Sequence, residues 1–213
     1  MAPTTQSPGK PNRMGAATRN KILDAAIAVL AEKGFSGFTL QAVADRAEIF
    51  YGNVTHHYAT RDKLIEAMLE AILERYQSRF NELVVAIEAH QGSPIRALVT
   101  WLLDDAVSPE TAPVFLELWA MARHIPEVGK GLAQLYDDAV DVCMTALGVS
   151  SRAPEARRLR DSLYVLGTVL EGSSSIFYNR NRDDEIFHGY RREAVEMLVP
   201  YLEQRLAEIK RTP

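Results

Sequence analysis

The sequence predicts an all-α protein, with a head of three short helices at the N-terminus and a larger helical body behind it, about nine helices in all. Three observations predict this. Apolar residues recur at three- and four-residue spacing along almost the whole chain after the first sixteen residues, which is the period of one helix face. No stretch alternates apolar and polar residues with the period of two that a half-buried strand shows. Glycine, proline and small polar residues cut the periodic stretches into pieces of ordinary helix length.

Residues 1–16 are Pro-, Ser- and Thr-rich, lack the apolar centre of a secretory signal and are expected to form a disordered tail. A first helix is expected over Thr18–Lys33, striped by Ile22, Ala25, Ala26, Val29 and Leu30, with Thr18 as its cap and Gly34 as its stop. Phe35-Ser-Gly-Phe38 follows as a linker with both rings turned inward. Thr39 caps a short second helix, Leu40–Ala47, whose buried face is Leu40, Val43, Ala44 and Ala47. After a turn at Glu48-Ile49-Phe50, Tyr51–Tyr58 reads as a third short helix with Val54 inward. Thr60 caps a long fourth helix, on which Leu64, Met68, Ile72, Tyr76, Phe80, Leu83 and Ile87 hold one stripe to about Ala89.

The body repeats this pattern. Helices are expected near Ile95–Ala106, Ala112–Arg123, Glu127–Leu147, Glu155–Asn179 and Tyr190–Lys210, and Pro200 is expected to kink or break the last. The organisation expected is thus a tail over 1–16, a head over 17–63 and a body over 64–213.

Composition narrows the function. Of 213 residues 47% are apolar, enough for a sizeable core, and no run is long and apolar enough for a membrane span. Cys143 is the single cysteine, so no internal disulfide forms, a structural zinc site is not expected and a reducing cytoplasm is the expected compartment. The net charge is −4, yet residues 1–63 hold eight basic and five acidic side chains, a net +3, and the remainder carries −7. A basic head on an acidic body permits phosphate contact without requiring it.

Three short helices with a tight turn between the second and third have the layout of a helix-turn-helix. The major groove of B-DNA, about 12 Å wide, admits one α-helix. With Val54 inward, the outer arc of the third helix holds Tyr51, Gly52, Asn53, Thr55 and His56. Asparagine pairs bidentately with adenine, and a threonine methyl meets a thymine methyl. Gly52 costs a helix roughly 1 kcal/mol against alanine, which signals close backbone approach. Two partners fit that approach: DNA, or a crowding neighbour helix.

The stretch from Thr18 to about Glu66 resembles the TetR-type bacterial regulators. The resemblance rests on ILDAA in the first helix, the Gly34–Phe35 break, Thr39, Val43-Ala44 with Ala47, Gly52, His57-Tyr58, and Arg61 with Leu64. It implies that Thr39 contacts phosphate, that Tyr51, Gly52, Asn53, Thr55 and His56 face the groove of double-stranded DNA, and that His57 reaches the backbone. Arg61, where the family usually has lysine, binds phosphate on this reading, assisted by Lys63. The turn departs from the family: Glu48 stands where a glycine is common and Phe50 where a small polar cap is common.

The resemblance also implies a homodimer, an unknown small-molecule effector and, most often, repression. Leu163, Leu166, Leu170 and Phe177, with Ala194, Met197, Leu198, Tyr201, Leu202, Leu206 and Ile209, form the expected dimer stripes, or else bury intrachain core. Candidate effector contacts are Trp101, Phe115, Trp119, Met121, Tyr136, Tyr164, Thr168 and Glu171, each also readable as ordinary core; Ser174 is a further polar handle. The stripe from Leu64 to Ile87 suggests a lever between head and body.

Two other function classes find partial support in the sequence. The pairs Asp104-Asp105 and Asp137-Asp138 suggest carboxylate chemistry, but adjacent helical residues diverge by about 100°, and solvated faces are expected instead. No nucleophile elbow or phosphate loop is present, so neither an enzyme nor a cofactor is expected. Glu48 and Phe50 motivate the alternative of a helical protein-interaction module with weakened DNA binding.

Overall fold

The structure is a computed structural model that describes residues 13–88, 92–150, 153–180 and 183–210. Among the described residues there are nine α-helices and no strand, as the periodicity predicts. Residues 1–12 of the expected tail and Ala89, the expected end of the fourth helix, lie outside them. No described helix is long and apolar enough to cross a membrane. The chain divides into two compact units, Met1–Met68 and Leu69–Pro213.

The first unit holds α1 (Arg13–Gly37), α2 (Leu40–Arg46), α3 (Tyr51–His57) and the opening turns of α4 (Arg61–Glu88). α1 starts five residues before the expected Thr18, so residues 13–16 are helical and Thr18 lies inside the helix rather than capping it. The alanines at 16 and 17 favour helix and nothing after Pro11 forbids it. Gly34 turns the path with φ 65° and ψ 179°, as a helix stop should. Ile22, Ala26, Val29, Leu30, Phe38, Val43, Ala44, Val54, Leu64 and Met68 are fully buried, so the predicted stripes of four helices meet in one core.

α2 opens on Thr39, whose hydroxyl accepts from the Ala42 amide at 3.0 Å. It closes with a Schellman arrangement: the Glu48 amide donates to the Asp45 carbonyl, and the Ile49 amide to the Ala44 carbonyl, both at 3.1 Å. That closure needs a left-handed residue, and Glu48 supplies it at φ 52°. α3 follows without a side-chain cap, because Phe50 has no hydroxyl to offer.

The second unit contains the rest of α4, α5 (Pro94–Ala106), α6 (Ala112–Ala122), α7 (Pro126–Ala146), a 3-10 turn (Pro154–Ala156), α8 (Arg157–Phe177) and α9 (Glu185–Lys210). Pro94, Pro113 and Pro126 sit in the first turns of α5, α6 and α7, where a missing N–H costs nothing. α5 packs on α8 and α9, and α7 on α6 and α8. α9 starts five residues before the expected Tyr190, its first turn held by the Asp184 carboxylate accepting from the Ile186 amide at 3.0 Å. α9 also runs through Pro200 without the expected break. Pro200 is exposed while Leu198, Val199 and Leu202 beside it are buried, so packing on both sides holds the helix across it.

The expected dimer stripes are largely intrachain core. Leu163, Leu166, Phe177, Ala194, Leu198 and Leu202 are buried within this chain, whereas Met197 and Tyr201 remain exposed. Val165, Ile176 and Ile186, none of them in the expected stripes, join the exposed apolar residues.

Candidate nucleic-acid interface and ligand cavity

α3 presents Tyr51, Gly52, Asn53 and His56 to solvent, with Thr55 and His57 half-buried and Val54 turned into the core. The Thr55 hydroxyl donates to the Gly52 carbonyl at 3.2 Å, leaving its methyl for other contacts. A Cβ added at Gly52 meets nothing within 4 Å. Crowding by a neighbouring helix therefore does not explain the glycine, and an external partner remains. His56 and His57 stand edge to face with centroids 5.5 Å apart.

An open depression on the same unit brings Thr39, Gln41, Tyr51 and Arg61 together with Phe35 and Phe38. Arg61 already has an internal role. Its Nε donates to the Phe38 carbonyl and its Nη2 to the Phe35 carbonyl, both at 2.8 Å. The exposed Lys63 is tied to Glu66 at 2.6 Å, a hydrogen bond that raises its pKa. Phe50, next to Tyr51, is 85% exposed. Sequence reasoning marked Phe50 for its lost cap; its nearly complete exposure was not legible.

The second unit encloses a cavity with about 700 Å³ of empty space, part of it open to solvent. Tyr76 and Phe80 of α4, Phe115 of α6, Tyr136 of α7, and Leu166 and Glu171 of α8 are among its walls. Of the eight candidate effector contacts, Phe115, Tyr136 and Glu171 line it. Trp119 stands just behind, its ring 6.1 Å from that of Tyr136 and hydrogen-bonded to Glu171. The other four do not line the cavity. Met121 is sealed in the core, Trp101 packs on the core cluster beneath Arg79, Tyr164 donates to Asp137, and Thr168 is exposed with its hydroxyl on the Val165 carbonyl.

Sequence reasoning missed Tyr76, Thr111, Cys143 and Gly167, which do line the cavity. Gly167 carried the one readable signal, a glycine inside a helix. A Cβ there would lie 3.3 Å from Tyr136 Cε1, so its absence seats the tyrosine ring. Ser174 also lines the cavity and donates to the Ala106 carbonyl at 2.7 Å, bracing α8 against α5.

Burial pushes Glu171 up to about 7, against a smaller lowering by the Trp119 hydrogen bond. Tyr136 donates its hydroxyl proton to the same carboxylate. Burial, reinforced by the nearby Asp105 and Glu171 charges, likewise pushes Tyr76 up, and burial alone lifts Cys143 to about 12.

The acidic pairs diverge as expected, each carboxylate of Asp104-Asp105 meeting a different arginine. Asp105 is no solvated residue: it is buried, accepts from Arg79 at 2.7 Å and from Thr111 at 3.1 Å, and burial raises its pKa. Asp104 takes a two-pronged contact from Arg191 at 2.6 and 2.7 Å. Among the described residues no cluster of His, Cys, Asp and Glu is arranged to hold a metal ion.

Residues 22–68 match the family model described as bacterial regulatory proteins, tetR family. The HTH-type transcriptional regulator BetI of Burkholderia lata is 33% identical over 109 residues, which is 51% of this chain and 56% of that regulator. The chain thus matches little more than half the length of this curated relative. A solved structure from Mesorhizobium loti, assigned to the TetR-family transcriptional regulators, shares the fold with a TM-score of 0.71 at 15% identity, over 92% of this chain and 98% of its own. The multidrug binding protein EbrR, solved with malachite green, superposes with a TM-score of 0.60 at 23% identity, over 89% of this chain and 99% of its own.

Proposed function

We propose that this chain is a TetR-type, ligand-responsive transcriptional regulator, a repressor that binds a palindromic operator as a homodimer and is released by a small-molecule effector, a reading supported by the family match over residues 22–68 and by the likeness to BetI. The observation that carries the DNA half is Gly52. It sits on an exposed helix face with open space over it, between Tyr51 and Asn53, where only a partner from outside gives the missing side chain a purpose. Tyr51, Gly52, Asn53, Thr55 and His56 are then the base-facing residues. Thr39, His57 and Lys63 serve phosphate, with Arg61 adding charge while it holds the loop.

Val165, Ile176, Ile186, Met197 and Tyr201 on α8 and α9 are the apolar surface available for self-association. A twofold dimer sets its two recognition helices about 34–36 Å apart, or a multiple of that. The cavity is the effector site, and α4 contributes residues to both units, which makes it the element through which the effector acts. A coupling of about 1–3 kcal/mol in favour of the DNA-incompetent state suffices for release. A reducing cytoplasm suits the unpaired Cys143.

Selection of bound duplexes from a random pool tests this reading. A palindromic consensus is expected, and failure to enrich any sequence overturns it. The exposed Phe50 favours a second reading, a helical protein-interaction module of the same fold with weakened DNA binding. Salt titration against random duplex separates the two, because phosphate contacts make affinity fall steeply with salt.

A further inference from the structure

The second unit holds two carboxylates away from bulk water, Asp105 buried and Glu171 half-buried in the cavity wall, and treats them differently. Asp105 is paired with Arg79 at 2.7 Å. Glu171 accepts hydrogen bonds from Tyr136 and Trp119, which are both neutral, and no lysine or arginine among the described residues pairs with it. Two neutral donors orient a carboxylate but do not cancel its charge, and a partly desolvated charge without a counter-ion is costly. The walls around Glu171 are otherwise mainly apolar and aromatic, the hydroxyls of Thr111 and Ser174 being spent on Asp105 and the Ala106 carbonyl, and the rings of Tyr76 and Phe115 lie 4.9 Å apart. Ring faces attract cations, most strongly where water is excluded.

We propose that this cavity binds a hydrophobic cation, an amine or quaternary ammonium carried on an apolar frame, with Glu171 as its counter-ion and Tyr76, Phe115 and Tyr136 as its walls. The inference rests on reading the cavity as the effector site, and it names the effector's chemistry. A cation entering the cavity displaces the proton that the empty site favours on Glu171, so cation and proton compete.

Other ionisable groups face this carboxyl. α4 presents Tyr76 and α7 presents Tyr136 and Cys143. α5 contributes Asp105, raised by burial and held by Arg79 and Thr111. α6 presents Phe115 and the indole of Trp119, which do not titrate. A substitution at Glu171 isolates its share of any pH dependence from theirs.

Phenyltrimethylammonium and its uncharged isostere tert-butylbenzene are suitable probes, titrated calorimetrically into the full chain at pH 6, 7 and 8. For the unsubstituted protein, affinity for the cation should rise with pH while affinity for the isostere stays level. Glu171→Gln should weaken the cation about tenfold at pH 8, abolish its pH dependence and leave the isostere within about twofold. Equal responses of the two probes to the substitution, a pH-independent cation affinity or no binding of either probe would each overturn the proposal. The pH series on the unsubstituted protein decides the matter even if the variant folds poorly. A separate operator-release assay with the same cation keeps the questions apart: Glu171-dependent binding without release sustains the cation site and sinks the regulatory reading.

Discussion

The guanidinium of Arg61 lies 4.1 Å from the centroid of the Phe35 ring while donating to the carbonyls of Phe35 and Phe38. It therefore pins the loop that follows Gly34 to the start of α4. Arg61→Ala should cost about 2 kcal/mol of stability, since hydrogen bonds from a charged group are worth roughly 1.5–3 kcal/mol. Arg61→Lys keeps the charge but not the two-pronged geometry. It should recover operator affinity more fully than thermal stability, as read by paired binding and melting curves. Recovery of neither would show that the charge serves the loop alone.

Gly52 separates stability from recognition. With open space over it, Gly52→Ala should stabilise the head by about 0.5–1 kcal/mol through helix propensity alone. The same methyl group should obstruct the groove and weaken operator binding at least about tenfold. A stabilised variant with undiminished binding would remove α3 from the DNA interface.

Glu48 and Gly148 close two different helices in the same way. At each, the residue after the cap is left-handed, with φ 52° and 71°, and the paired amides bond three and five residues back. Only glycine adopts that backbone without penalty. Glu48→Gly should raise stability by about 1 kcal/mol in chemical denaturation. If the turn lies near phosphate, the substitution should also tighten duplex binding, with the gain shrinking as salt rises.

Glu171 should leave a signature in stability against pH. Its carboxyl is raised from 4.5 to about 7 in the folded chain, so the native state holds the proton more tightly than the unfolded chain does. That stabilisation is complete below the unfolded value, declines as pH rises toward about 7 and levels off above it. The stability of the unsubstituted protein relative to Glu171→Gln should therefore fall across that window. Urea midpoints at pH 5, 6, 7 and 8 measure it. Asp105 contributes with the same sign in both proteins and cancels in the difference.

Cys143 should be silent until the fold opens. Burial lifts its thiol to about 12, and only the thiolate reacts. A disulfide thiol reagent at pH 8 should modify the native protein slowly and the denatured protein at once. Rapid native modification would show that the cavity admits water and reagents freely at that wall.

The periodic pattern by itself determined the all-α class, the head core from Ile22 to Met68, the Thr39 and Thr60 caps and the stop at Gly34, because each depends on residues within a turn or two of one another. The tertiary structure alone decided what each buried stripe meets. A stripe such as Leu163, Leu166 and Leu198 records that a face leaves water, not whether its own chain or a second copy covers it, and here its own chain does. The cavity lies further still from the sequence, since Tyr76, Phe115, Tyr136 and Glu171 come from four helices and meet only because the packing between those helices is incomplete. Trp101 and Met121 have the composition of pocket residues but lie where packing is complete, and composition carries no information about that difference.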